Sequence, residues 1–148
     1  MLLQQESGGY LRGTVIRLCG SFKYTAAGNL VDTIRDGQSK AVATVTRVSA
    51  GLYEVTLGDT YPIPERLVTA RAWVNQSATI GKVLVGEVVE SGTGAYSQST
   101  RKFRIALKLV GDVALSAYAD PSASDPDDGA RICFELVGST SSIGTDPA

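Results

Sequence analysis

Apolar and polar side chains alternate with a period of two along much of this chain, and that pattern restricts it to β-structure. From Leu52 to Leu57, Tyr53, Val55 and Leu57 fall on one side, with Glu54 and Thr56 on the other. From Lys102 to Val110, Phe103, Ile105, Leu107 and Leu109 alternate with Lys102, Arg104 and Lys108. From Arg131 to Val137, Ile132, Phe134 and Leu136 form an inner set and leave Arg131 and Glu135 outside. Successive side chains of a strand project to opposite faces, so each stretch reads as a strand with one buried and one solvated face. No stretch carries a convincing helical stripe.

Eight strands are expected: Leu11–Leu18, Ala41–Val48, Leu52–Leu57, Arg66–Asn75, Lys82–Glu90, Lys102–Val110, Val113–Ala119 and Arg131–Val137. Gly, Ser, Asp and Pro clusters separate them, which argues for an all-β fold, an antiparallel β-sandwich of about eight strands with a jelly-roll-like character. In Arg66–Asn75 the inner set is Val68, Ala70, Ala72 and Val74, which puts Trp73 outside with Thr69 and Arg71. Lys82–Glu90 is apolar on both faces, as in a strand lying between two layers or covered by a neighbouring subunit. Gly20–Lys40, Ser91–Thr100 and Asp120–Gly129 read as loops; the second is a flexible hairpin tip presenting Tyr96, the third an acidic turn. At 148 residues one domain is the natural prior. Residues 1–9 read as an N-terminal arm, 10–138 as the sandwich and 139–148 as a C-terminal tail.

Composition narrows the chemistry. Fourteen Lys and Arg against fifteen Asp and Glu give a formal net charge of -1. That balance points to neither a nucleic acid nor a membrane surface as the main partner. The N-terminus MLLQQESGGY has no basic region followed by an apolar stretch, so no secretory signal is expected there. Histidine is absent, which removes the usual general base near neutral pH and the commonest transition-metal ligand. The two cysteines, Cys19 and Cys133, are expected to be buried free thiols of a chain made in a reducing cytosol; a disulfide joining terminal strands is the alternative.

Several short constellations bear on catalysis or metal binding. Asp120, Asp125, Asp127 and Asp128 are hard oxygen ligands suited to calcium, but they lack the alternation and terminal glutamate of an EF-hand loop, and a solvated turn is the better reading. No Gly-x-Ser-x-Gly elbow is present, and Gly92-Thr93-Gly94 lacks the lysine and helix of a phosphate loop. The expectation is a noncatalytic protein with no cofactor and no metal. The contact candidates are instead outward-facing residues. Trp73 beside Arg71 suits an interface anchor, Tyr96 caps a loop, and Arg101, Lys102 and Arg104, with Lys108, form a basic strip facing solvent or an acidic protein surface.

The stretch Val45–Pro62, VTRVSAGLYEVTLGDTYP, resembles a recurrent segment in small virion proteins of tailed bacteriophages. The similarity continues through Leu67–Val74 (LVTARAWV), through Tyr118-Ala119-Asp120-Pro121, and through Arg131–Val137 with the Ser-rich stretch Ser139–Ser142. Leu18–Phe22 and Gly28 resemble that family's opening strand and loop, whereas Asp32–Lys40 and Ser91–Thr100 do not fit its pattern. The resemblance implies a capsid decoration, or cement, protein with a jelly-roll or related sandwich fold. It implies a homo-oligomer, dimer or trimer, made in the host bacterial cytoplasm and seated on the outer surface of the virion head, where it bridges subunits of the major capsid protein. The alternative is a receptor- or glycan-binding β-module of a phage fibre, in which Trp73 and Tyr96 stack on sugar rings.

Overall fold

A computed structural model describes residues 15–25, 42–59, 62–75, 83–111 and 118–140, with the side chains of 111 and 118–122 left aside. It contains eight strands: β1 (Val15–Lys23), β2 (Val42–Ser49), β3 (Leu52–Leu57), β4 (Arg66–Asn75), β5 (Val83–Val88), β6 (Lys102–Gly111), β7 (Tyr118–Ala123) and β8 (Arg131–Ser139). They form two antiparallel sheets, as expected of a β-sandwich. One has three strands in the order β1-β8-β4; the other has the order β2-β3-β6-β5, with β7 also paired to β6. The first and last strands are neighbours, and β2 and β3 make a hairpin. Because β5 occupies one side of β6, β7 must follow β3 along its other side.

The alternating sets meet between the sheets. Ile16, Leu18, Phe22, Ala72, Ile132, Phe134 and Leu136 come from the three-stranded sheet. Val42, Val45, Tyr53, Val55, Leu57, Val88, Phe103, Ile105 and Leu107 come from the other. Phe103 meets Phe134 edge-on across the layers with ring centroids 5.0 Å apart, and Phe22 meets Tyr53 at 5.8 Å. Such aromatic pairs add directional attraction to the area they bury. Gly51 closes the β2–β3 hairpin at φ 68°, in the left-handed region. A Cβ there would lie 2.6 Å from the Leu107 carbonyl oxygen and from the Ser124 nitrogen, so the turn requires glycine twice over.

The structure departs from the expected bounds and faces at several places. The first strand begins at Val15 among the described residues and runs through Lys23, because Gly20 continues the alternation of Ile16, Leu18 and Phe22 instead of breaking it. The ring of Phe134 occupies the space that a side chain at Gly20 would need. The rest of the expected Gly20–Lys40 loop, residues 26–40, lies outside the described residues. Among the described residues the seventh strand spans Tyr118–Ala123, past its expected end, while 113–117 lie outside them. It carries Pro121, which a strand with no second described neighbour tolerates, since none needs the missing N–H. In β4 a bulge between Leu67 and Thr69 shifts the parity. Leu67 therefore packs on the core, and Val68 is left 53% exposed. Among the described strands β5 lies at the edge of its sheet, with Val85 outward. Ser139, the first residue of the expected tail, belongs to β8, and its carbonyl accepts a hydrogen bond from the Glu65 N–H. The arm, residues 1–9, and residues 141–148 of the tail lie outside the described residues.

Candidate functional site: the outer face of the three-stranded sheet

The pairing of β1, β8 and β4 gathers outward side chains that lie far apart in sequence. Cys19, Glu135 and Arg71 form one row across the three strands; Ser21, Cys133 and Trp73 form the next. Arg17, Val137 and Thr69 lie on one side of these rows, and Lys23, Arg131 and Asn75 on the other. These rows thus carry four basic residues, Arg17, Lys23, Arg71 and Arg131, and one acidic residue, Glu135, with exposed Arg66 beyond them opposite Ser139.

Glu135 organises the centre. Its carboxylate meets Arg71 Nε at 3.0 Å and Arg17 Nε at 3.3 Å. The glutamate side chain is only 14% exposed, whereas the arginines are 68–69% exposed and lie spread over the face. The Arg71 guanidinium also sits 5.1 Å from the Trp73 ring centroid, a cation–π distance. Trp73 keeps 37% of its surface exposed. Arg131 donates to Ser21 Oγ at 2.9 Å. The two thiols share this face but are not bonded to each other; Cys19 is exposed, which departs from expectation, and Cys133 is buried. Burial pushes the pKa of both thiols up, Cys19 further so by the adjacent Glu135 carboxylate, so neither is an activated thiolate.

The other sequence-derived candidates lie elsewhere and are engaged locally. Lys102 and Arg104 both contact Glu54 at 3.3 Å on the outer face of the five-stranded sheet. Burial raises the pKa of Glu54, but hydrogen bonds from Lys102 and Arg104 outweigh it and the net direction is down. Arg101, at φ 61°, donates to the Leu57 carbonyl at 3.2 Å and also to that of Gly58. Lys108 reaches Glu87 at 3.7 Å. Tyr96 is not presented at a loop tip: it packs against the core and donates to the Pro64 carbonyl, and burial pushes its pKa up to about 12. Trp73 and Tyr96 stand towards opposite ends of β4 and do not form one aromatic platform.

The acidic loop proves to be a clasp. Asp125 accepts hydrogen bonds from Arg47 at 2.6 and 3.1 Å, from the Gly51 N–H at 2.9 Å and from the Tyr53 hydroxyl at 2.5 Å. Burial by itself raises the Asp125 pKa, yet these donors together hold it down at about 2. Tyr53 is pushed the other way, by burial first and then by its bond to that carboxylate. Among the described residues no group of three or more acidic or thiol side chains gathers to hold a metal. The chain matches no family model, no curated protein and no solved structure.

Proposed function

We propose that this chain is a noncatalytic structural protein of a phage virion, which binds the outer surface of the assembled head and reinforces it. The observation that carries the reading is the net-basic face around Trp73, a surface with an aromatic anchor and positive charge suited to an acidic protein surface. The sequence resemblance of Val45–Pro62 and Arg131–Val137 supplies the capsid as the partner. Three strands about 4.8 Å apart and nine residues long at about 3.4 Å each offer roughly 450 Å². A standard interface uses about 800 Å² per partner, so a single copy would hold weakly. Many copies on a lattice, held as dimers or trimers, gain avidity instead, and binding to the assembled shell alone stabilises it by mass action.

The test is co-sedimentation of the purified protein with shells assembled from the major capsid subunit alone. Saturation at a simple ratio of copies to capsid subunits, weakening as salt screens the basic face, is the expected result. Absence of saturable binding would remove the proposal. The second reading, a glycan-binding module, uses Trp73 as a stacking platform; a glycan-array signal abolished by Trp73→Ala would favour it.

A further inference from the structure

A cleft of about 500 Å³ opens between β4 and the chain that follows β5, towards the end of β4 opposite Trp73. Its origin lies in two local features. At Gly86 the edges of the two sheets nearly touch: a Cβ there would lie 3.0 Å from the Ala72 carbonyl oxygen, so a side chain would press the edges apart by a few tenths of an ångström. Towards its N-terminal end β4 then passes through the bulge at Leu67–Thr69. Bulges bend a strand and increase its twist. The cleft lies along this bulged part of β4, lined by Glu65 to Ala70 on one side and by Val88, Val89 and Glu90 on the other, with Tyr96 beside them.

One wall of this cleft is a strand edge. β4 is paired to β8 alone, so its second edge has no ladder partner among the described residues. Unpaired N–H and C=O groups along an edge are complemented best by another extended backbone. Of its apolar lining, Val88 belongs to the core and Leu67, Ala70 and Tyr96 pack against it, while Val68 is exposed. The charged lining is Glu65, Arg66 and Glu90, and no described cation pairs with either glutamate. The cleft is therefore net acidic, the reverse of the Trp73 face.

We infer that this cleft receives an extended segment of a partner protein, which adds a strand to the free edge of β4. Glu65–Ala70 spans about 17 Å at roughly 3.4 Å per residue, enough for about five residues of partner. Alternate side chains of that segment are apolar and lie over Leu67, Val88 and Tyr96, and a lysine or arginine lies near Glu65 and Glu90. This goes beyond the docking face above, since it names a second contact of opposite charge, for an extended segment that carries a basic residue.

The experiment is a library of octapeptides with apolar residues at alternate positions and one lysine, screened against the full chain without any capsid shell. Expected binders shift the amide resonances of Glu65–Ala70 and Val88–Glu90 and slow hydrogen exchange on β4 about tenfold or more. N-methylation of alternate peptide amides abolishes binding, a control that leaves the protein untouched. The double change Glu65→Gln, Glu90→Gln weakens a lysine peptide several-fold and leaves its lysine-to-methionine counterpart unaffected. A library without a saturable binder, or binders that perturb Arg71 and Trp73 instead, would overturn the inference. Either failure leaves the shell-binding proposal standing, because no shell enters the measurement.

Discussion

Asp125 and Glu135 are both carboxylates held by arginine, and the two do different work. Asp125 ties the loop after β7 to β2 through Arg47, to the hairpin turn through Gly51 and to β3 through Tyr53, whose side chain is fully buried. Glu135 joins arginines of β1 and β4 across β8, three strands already laddered together. Losing Asp125 leaves a buried hydroxyl and a backbone N–H without an acceptor; losing Glu135 frees two arginines that water already reaches. An ion pair strengthens a fold where its partners have no other acceptor, and otherwise it arranges a surface.

That contrast can be broken by substitution. Asp125→Ala has the largest expected effect, a loss of about 2–4 kcal/mol in denaturant unfolding, since it strands polar partners as well as removing charge. A loss below about 1 kcal/mol would put the clasp on a par with ordinary surface pairs. Acid titration sharpens the same point. The Asp125 pKa falls from 3.8 to about 2 on folding. Its contribution is therefore fully present above pH 3.8 and is lost as pH drops towards 2. Asp125→Asn should flatten that part of the stability curve, and an unchanged acid limb would show that other carboxylates control it. Glu135→Gln should cost less than about 1 kcal/mol, because the amide keeps the shape and the arginines remain solvated. A larger loss would make the two stations equivalent.

Much of this arrangement was legible in the sequence where alternation is strict. Tyr53, Val55 and Leu57, Phe103, Ile105 and Leu107, and Ile132, Phe134 and Leu136 are buried as their spacing requires. The reading slipped where one residue changes the parity or the composition imitates a turn. Val68 is the extra residue of a bulge, Gly20 makes room for a ring from another strand, and Pro121 sits in a strand with one described partner. Alternation also placed Arg71 and Trp73 outward. It could not bring Arg17, Lys23 and Arg131 beside them, because period reveals faces and not neighbours. The same blindness made Arg101, Lys102 and Arg104 resemble an open basic strip. Glu54 lies opposite Arg104 only through the β3–β6 register, and Arg101 caps carbonyls at the end of β3 and beyond it. Tyr96 lies in a stretch as polar as any loop tip, but its ring is drawn inward by the core and by Pro64.

The central claim is that the Trp73 face binds while the Asp125 clasp holds the fold. The most direct test compares the wild-type chain with Trp73→Ala for shell occupancy and for melting temperature in the same buffer. The account predicts occupancy reduced about tenfold or more, as for the loss of a binding hot spot, with melting within a few degrees of wild type. Wild-type occupancy in Trp73→Ala, at equal folding, would contradict it.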